Sequence, residues 1–284
     1  MTRRVDLLGK PLRRRHSVVM HNAAFAAAGI DGEYVLAEID EADVPDAVAA
    51  ARGPEFFGLG VTAPYKPLVA ALVDDVEPDA RAIGAVNNVI RMPDGRLVGF
   101  NSDAPGFRAG VELAMGRPLD DAMEVVVVGA GGVARAIVHA CLGVGRMTIA
   151  NRTPEAARAL VERNARDTRA DMTACGLDES GFHSALWRAD LVVNATSVGM
   201  IDPGLPFPVD GLRDEAIVFD CVYVPAETPL LAAARARGLH AANGSEMLIA
   251  QAAIAFERWT GVSGMASIMR EAVAPLLADA ATTA

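Results

Sequence analysis

The chain has 284 residues, 52% of them apolar, and a formal net charge of −10 at pH 7. That length suits two domains or one large one, and the apolar content is ample for a buried core. The charge excludes the class of proteins that hold nucleic acid through a basic face, and no apolar run reaches the ~18 residues of a membrane span.

The N-terminus is basic but leads into a short strand-like run at residues 5–8, without the apolar stretch and cleavage site of a secretory signal. Residues 17–28 read as a helix, with Ser17 as its N-cap and Gly29 as its stop. Strand patterns follow at 34–39 and 57–61, separated by an Ala-rich helix after Asp43. Runs 89–92 and 97–100 flank Pro93-Asp94-Gly95, a hairpin turn signal. A second alternation begins near Glu124: strand 124–128, helix 133–142, strand 147–150 and helix 154–161. Later strands are expected at 190–194 and 216–220, closing helices at 248–259 and 266–277, and a frayed end from 278. Strand–helix alternation predicts an α/β fold with parallel sheet, to which the hairpin adds an antiparallel element. Three widely spaced cysteines, Cys141, Cys175 and Cys221, fit reduced thiols in a cytoplasm. Neither they nor the five histidines carry metal-ligand spacing, so no metal is expected.

Val125 to Val128 form an uninterrupted β-branched run, as in a central strand buried on both faces. It ends in Gly129-Ala130-Gly131-Gly132-Val133-Ala134, a G-x-G-x-x-A pattern opening a helix. Gly129 permits the tight turn, Gly131 clears the approach of a pyrophosphate, and Ala134 allows close helix–strand packing. The diphosphate would rest on the helix N-terminus. The next strand ends at Asn151-Arg152-Thr153, where an NAD site usually places an acid for the ribose diol. A guanidinium there pairs with a 2′-phosphate, which favours NADP. The same residues also read as a plain helix start, with Thr153 capping and Pro154 at the first helical position.

Of the 26 basic residues, 24 are Arg; the lysines are Lys10 and Lys66 alone. Arg is in effect never deprotonated, so a Lys retained at 66, in the turn Thr62-Ala63-Pro64-Tyr65-Lys66-Pro67, is a candidate proton donor and acceptor, or else simply a surface lysine. Asp103 follows a strand and reads either as its orienting carboxylate or as the N-cap of a helix near Pro105. Asn87 could hold a turn, Gln251 lie exposed on a helix and Tyr223 be packing.

The chain resembles the shikimate dehydrogenase family nearly end to end. The motifs are Gly9-Lys10-Pro11-Leu12, His21-Asn22, Val61 to Lys66, Gly84-Ala85-Val86-Asn87, Gly99 to Asp103, Gly129 to Gly132, Asn151-Arg152-Thr153, Asn194 to Met200, Asp220 to Tyr223, and Met247 to Gln251. The resemblance implies an N-terminal α/β catalytic domain of residues 1–104 plus 243–284 and a Rossmann NADP-binding domain of residues 105–242, with the active site in the cleft between them. It implies NADP-dependent, reversible reduction of 3-dehydroshikimate, with Lys66 and Asp103 as the catalytic pair. Ser17, Thr62, Asn87, Tyr223 and Gln251 would contact a small anionic cyclic hydroxy acid. Gly129, Ala130, Gly131, Gly132, Val133, Asn151, Arg152, Thr153, Thr196, Cys221 and Gly244 would contact the cofactor, the last two at its nicotinamide end. The oligomeric state stays open, a homodimer being one option.

The sequence departs from the family at several positions. Arg15 stands where a serine usually pairs with Ser17 on the substrate carboxylate. It either grips a carboxylate bidentately, fills space and excludes shikimate, or is a solvated arginine in the basic run Arg13-Arg14-Arg15. Ala104 replaces a common glycine, and Ala156 stands where a second base often meets the 2′-phosphate, although Arg158 is near. Ser245-Glu246 replaces a Leu-Gly-like pair beside the nicotinamide. Two alternatives therefore stay open: a paralogue acting on quinate, an amino-substituted analogue or another acid, and a nucleotide-binding regulator without turnover.

Overall fold

The computed structural model describes residues 2–12, 15–166, 168–200 and 202–279. The chain folds into two compact units, one of Met1–Asp103 with Ile249–Leu276, the other of Ala104–Leu248 with the end of the last helix. The expected fold class is what forms: a mixed sheet in the first unit and a wholly parallel one in the second.

In the first unit the chain runs β1 (Arg3–Gly9), α1 (His16–Ala27), β2 (Gly32–Glu38), α2 (Val44–Ala50), β3 (Phe56–Val61), α3 (Lys66–Leu72), β4 (Asp75–Val76), α4 (Pro78–Ile83), β5 (Asn88–Arg91) and β6 (Leu97–Phe100). The sheet order is β2-β1-β3-β5-β6-β4. β1 lies parallel to β2 and β3, and the β5–β6 hairpin turns where Pro93-Asp94-Gly95 signals it. β3 is buried along its whole length, and its glycines are there for space. A Cβ at Gly58 would collide with the Val89 carbonyl, and one at Gly60 would stand 2.5 Å from the Tyr34 hydroxyl.

The second unit opens with α5 (Asp103–Met115), whose first residue belongs to the first unit. It continues β7 (Glu124–Val128), α6 (Gly132–Ala140), β8 (Arg146–Asn151), α7 (Pro154–Asn164), β9 (Asp171–Gly176), α8 (Ser180–Arg188), β10 (Leu191–Asn194), β11 (Ile217–Asp220), α9 (Pro229–Ala236) and β12 (His240–Asn243). The division between units falls within α10 (Ser245–Thr260), and α11 (Ala266–Asp279) closes the described chain. The sheet order β12-β11-β10-β7-β8-β9 is the doubly wound arrangement, with its switch point between β7 and β10. Alternation along β7 sends Val125 and Val127 into one core, with Ala134, Ile137 and Leu160, and Val126 and Val128 into the other, with Phe182, Leu186 and Leu230. Each such side chain contributes roughly 1.5–3 kcal/mol of burial.

Some local expectations need correcting. α1 begins at His16, so Ser17 lies inside its first turn; Arg15 occupies the N-cap position and makes no side-chain cap. Thr153 does sit at the N-cap of α7, but its hydroxyl does not cap the helix. α10 begins three residues before the expected Leu248, and residues 278–279, expected to fray, are helical. α3, β4, α4, β9, α8, α9 and β12 are elements that no pattern in the sequence led us to expect.

The first unit carries an aromatic cluster around His21. Its ring stacks on Tyr34 at 4.4 Å and lies 5.3 Å from Trp259. Burial pushes the imidazole down to about 3. An unfolded histidine takes its proton near pH 6.5, so between about 6.5 and 3 the unfolded chain binds a proton that the folded chain refuses. The stability held by neutral His21 is complete above about pH 6.5 and is lost as pH falls, by about 2 kcal/mol from pH 7 to pH 5. His21→Phe keeps a ring in the stack, and thermal melts at pH 7 and pH 5 should show a smaller acid-induced drop in Tm than wild type. An equal drop in both proteins would rule out His21 as the source.

Candidate functional site

In the first unit, β3 ends at Val61, and the turn from Thr62 to Tyr65 delivers Lys66 as the first residue of α3. The turn is fixed by Thr62 N–H donating to the Leu8 carbonyl at 2.9 Å and Tyr65 N–H to the Thr62 carbonyl at 3.0 Å. The buried Tyr65 anchors it by donating its hydroxyl to the Ile39 carbonyl at 2.7 Å. Asp103 is likewise the first residue of α5, where the helix dipole favours a negative charge. Lys66 Nζ donates to Asp103 Oδ2 at 2.7 Å, and the two side chains are 20% and 14% exposed. The pair is therefore largely desolvated yet still reachable. Asp103 spends its carboxylate on Lys66, and Asn101 Oδ1 instead accepts the Asp103 N–H at 2.9 Å. The other lysine is a contrast: Lys10 sits on the surface, and its bond to Asp40 raises its pKa.

Beside the pair lies a chain of amides. Ser102 is fully buried. Its hydroxyl accepts from Asn87 Nδ2 at 3.2 Å and Asn88 Nδ2 at 2.8 Å, and donates to Gln251 Oε1 at 3.2 Å. Asn87 Oδ1 accepts the Ser102 N–H at 2.9 Å and Asn88 Nδ2 at 2.8 Å. A hydroxyl has one proton, so these bonds fix which end of each amide faces inward: Gln251 turns its oxygen to Ser102. Asn87 and Gln251, singled out from the sequence, are thus brought together, while Asn101 and Ser102 stand within a quoted motif without a role and Asn88 falls just outside the motif that ends at Asn87. The cue available was their adjacency to Asn87 and Asp103 in two short polar runs at strand ends. Thr62 packs its methyl where a Cβ on Gly9 would stand. Ser17 is half-buried in the first turn of α1, and Arg15 is exposed just before it. Arg13 and Arg14 lie outside the described residues.

The second unit holds the glycine turn. Gly129 has φ +118°, which L side chains rarely adopt, and a Cβ there would press on Ala195 at 3.0 Å. At Gly131 and Gly132 an added Cβ would meet nothing within 4 Å, so the start of α6 faces open space. Gly131 is the N-cap and brings no side-chain cap, and no acid stands in the first turn. Ala134 is fully buried in the core, and Ala130 and Val133 pack against it. An open helix start with unclaimed N–H groups fits a diphosphate. At the neighbouring strand end Asn151 donates its amide to the Thr153 carbonyl at 3.0 Å. Arg152 is exposed, and no carboxylate pairs with it among the described residues. Arg158, by contrast, is engaged with Glu155 at 3.0 Å and Glu179 at 3.8 Å.

Cys221, Tyr223, Thr196 and Gly244 also lie in the second unit. A Cβ on Gly244 would collide with the Cys221 carbonyl, so these two backbones touch. Thr196 donates its hydroxyl to Asn194 Oδ1 at 2.7 Å. Asp220, fully buried and given no role from the sequence, accepts from Asn194 Nδ2 at 2.9 Å, Val222 N–H at 3.0 Å and the Thr228 hydroxyl at 2.6 Å. Desolvation pushes its carboxyl up, and the three hydrogen bonds pull it back. Glu246 is half-buried in the first turn of α10. Among the described residues no cluster of His, Cys, Asp and Glu could hold a metal ion.

Comparison with known proteins supplies the family. The family model of the shikimate dehydrogenase substrate-binding domain matches residues 7–89. That of shikimate/quinate 5-dehydrogenase matches 116–201, and that of the shikimate 5′-dehydrogenase C-terminal domain matches 244–274. The shikimate dehydrogenase (NADP(+)) of Moorella thermoacetica is 39% identical over 277 residues, covering 95% of this chain and 93% of the relative. The solved shikimate 5-dehydrogenase of Thermus thermophilus, in complex with NADP(H) and shikimate, superposes with a TM-score of 0.84 at 34% identity, covering 96% and 99% of the two chains. The quinate dehydrogenase of Corynebacterium glutamicum, in complex with NAD, gives 0.88 at 35% identity and the same coverage. With matches that run almost the whole length of the chain on both sides, this protein belongs to the shikimate dehydrogenase family.

Proposed function

We propose that the protein is an NADP-dependent shikimate dehydrogenase that interconverts 3-dehydroshikimate and shikimate. The observation that carries this reading is the Lys66–Asp103 contact of 2.7 Å, largely buried within the unit that also holds the amide chain. The nicotinamide cofactor, when bound, supplies or accepts the hydride. The residues suited to hold it are Gly129, Ala130, Gly131, Gly132 and Val133 at the diphosphate, Asn151, Arg152 and Thr153 at the 2′-phosphate, and Thr196, Cys221 and Gly244 towards the nicotinamide.

Reduction of a ketone leaves negative charge on its oxygen. The Lys66 ammonium gives that oxygen a proton, and in the reverse direction the amine takes one from the alcohol. Asp103 accepts one N–H from Lys66 and so decides where the others point. Ser17, Thr62, Asn87, Tyr223 and Gln251 are suited to the substrate's carboxylate and hydroxyls, and the fixed amide orientations make Asn87 and Gln251 directional partners. Lys66→Arg keeps the charge and removes the usable proton. Turnover should fall roughly 10²–10⁴-fold, the usual contribution of a positioned acid–base group, with NADPH affinity little changed. A loss below tenfold would remove Lys66 from the chemistry.

Arg152 carries the cofactor preference. Arg152→Ala should weaken NADP binding by roughly 1.5–3 kcal/mol, as for a hydrogen bond to a charged group, and leave NAD almost untouched. Calorimetric titration with both cofactors decides it: equal weakening of the two, or a wild type that prefers NAD, would contradict the assignment.

A second reading, oxidation of quinate or a related acid, turns on Arg15. It stands exposed at the start of α1, two residues before Ser17. We take Arg15 to grip the substrate carboxylate, so Arg15→Ser should raise KM for shikimate several-fold with NADPH affinity unchanged. A rise in kcat/KM for shikimate would mean that Arg15 excludes it and that another acid is the substrate.

A further inference from the structure

The buried carboxylate of Asp220 has no part in the proton and hydride chemistry, and no lysine or arginine pairs with it among the described residues. A buried carboxylate without a cation is costly unless its oxygens are filled with hydrogen bonds. Here three donors from three places in the chain fill them. Oδ1 takes the Asn194 amide at 2.9 Å and the Val222 N–H at 3.0 Å; Oδ2 takes the Thr228 hydroxyl at 2.6 Å. Thr228 Oγ1 in turn accepts the Leu231 N–H at 3.3 Å and caps α9. An asparagine could keep the two bonds of Oδ1 only by turning its N–H towards the Thr228 hydroxyl, which would then have to accept where it now donates.

What this carboxylate holds is the loop from Cys221 to Thr228. Both ends of the loop are tied to it, one through Val222 and the other through Thr228. Two further bonds pin the loop from outside: Gly244 N–H donates to the Val222 carbonyl at 3.3 Å, and Asn243 Nδ2 to the Ala226 carbonyl at 2.9 Å. Tyr223 rides on this loop, directly after Val222. Asn194, the third partner, has its own oxygen bound to the N–H and the hydroxyl of Thr196, at 3.0 Å and 2.7 Å. One carboxylate therefore joins the turn that carries Thr196 to the loop that carries Tyr223.

We propose that Asp220 is a positioning residue that acts through Tyr223, setting where its phenol meets the acid substrate. This rests on the reading of Tyr223 as a substrate contact given above. Loss of the carboxylate lets the loop relax, and the acid binds less well although the Lys66–Asp103 pair is untouched; because Cys221 lies on the same loop and Thr196 on the turn tied to it, the effect on the acid is read with the cofactor saturating.

The test is a double-mutant cycle on the full chain, in steady-state kinetics with saturating NADP and with shikimate or quinate, whichever the wild type oxidises. Tyr223→Phe should raise KM for the acid about tenfold with kcat little changed, and Asp220→Asn should do the same. Because both act on one contact, the double variant should lie within about twofold of the worse single variant. A merely structural role for Asp220 would lower the active fraction, and with it kcat, without this non-additivity. Multiplying effects, about a hundredfold in KM, would overturn the positioning role while leaving Tyr223 a substrate contact. Tyr223→Phe without a change in KM would overturn the Tyr223 reading and this proposal with it, as would a wild type that oxidises neither acid. If Asp220→Asn does not fold, Thr228→Val removes one donor with little change of shape and enters the same cycle. Thr228→Ser should then restore KM, and failure to restore it would count against the proposal.

Discussion

Both units depend on one constraint: a strand that ends in the interior must find partners for its last backbone groups. The same solution appears four times. Asn101 after β6, Asn194 at the end of β10, Asp220 at the end of β11 and Asn243 at the end of β12 each accept, through a side-chain oxygen, the N–H two residues further on, at 2.9–3.1 Å. Short Asx side chains mimic a backbone turn in this way and replace a ladder that has run out. The residue served is Asp103, Thr196, Val222 or Ser245, so each exit settles the first step of a segment that holds or adjoins a candidate site residue. A buried donor left unpaired at such a point costs roughly 1–3 kcal/mol, which is enough to make these exits rigid platforms.

The same economy explains what could be read from the sequence. The valine run of β7, the glycines after it and the hairpin signal at Pro93-Asp94-Gly95 were legible because each has a local cause: burial on both faces, a positive φ at Gly129, a turn. Lys66 was legible from scarcity. Asp220, Ser102 and Asn88 were not, because their importance comes from partners 8 to 149 residues away that only the fold assembles. Ser17 shows the opposite error. A serine before a helical pattern invites an N-cap, but α1 starts one residue earlier, at His16. The strands β9 and β12 escaped notice because both are sheet edges with few fully buried positions, so their apolar signal is weak.

Glycines do two different jobs in the two units. In β3, Gly58 and Gly60 give way to neighbours already present, a carbonyl and a tyrosine hydroxyl, and the space they leave is filled. At the start of α6, Gly131 and Gly132 give way to nothing in the chain itself. Open space alone does not mark a ligand, since Gly143 and Gly211 also meet nothing; what sets Gly131 and Gly132 apart is that they stand at the start of α6, after a central strand. Whether the space is filled or open cannot be read from sequence, where all four are simply Gly within or beside a strand.

The choice of arginine almost everywhere has a practical corollary. Reagents that acylate or reductively methylate amines ignore guanidinium groups, and this chain offers them only two side-chain targets. Lys10 is open on the surface against Asp40, whereas Lys66 is mostly enclosed with Asp103. Of the two side chains a mild amine label should therefore settle first on Lys10, at the end of β1, alongside any free α-amine, whose lower pKa makes it reactive too. Slower labelling of Lys66 would serve as a built-in gauge of how open its surroundings are, readable by peptide mass mapping on the unaltered protein.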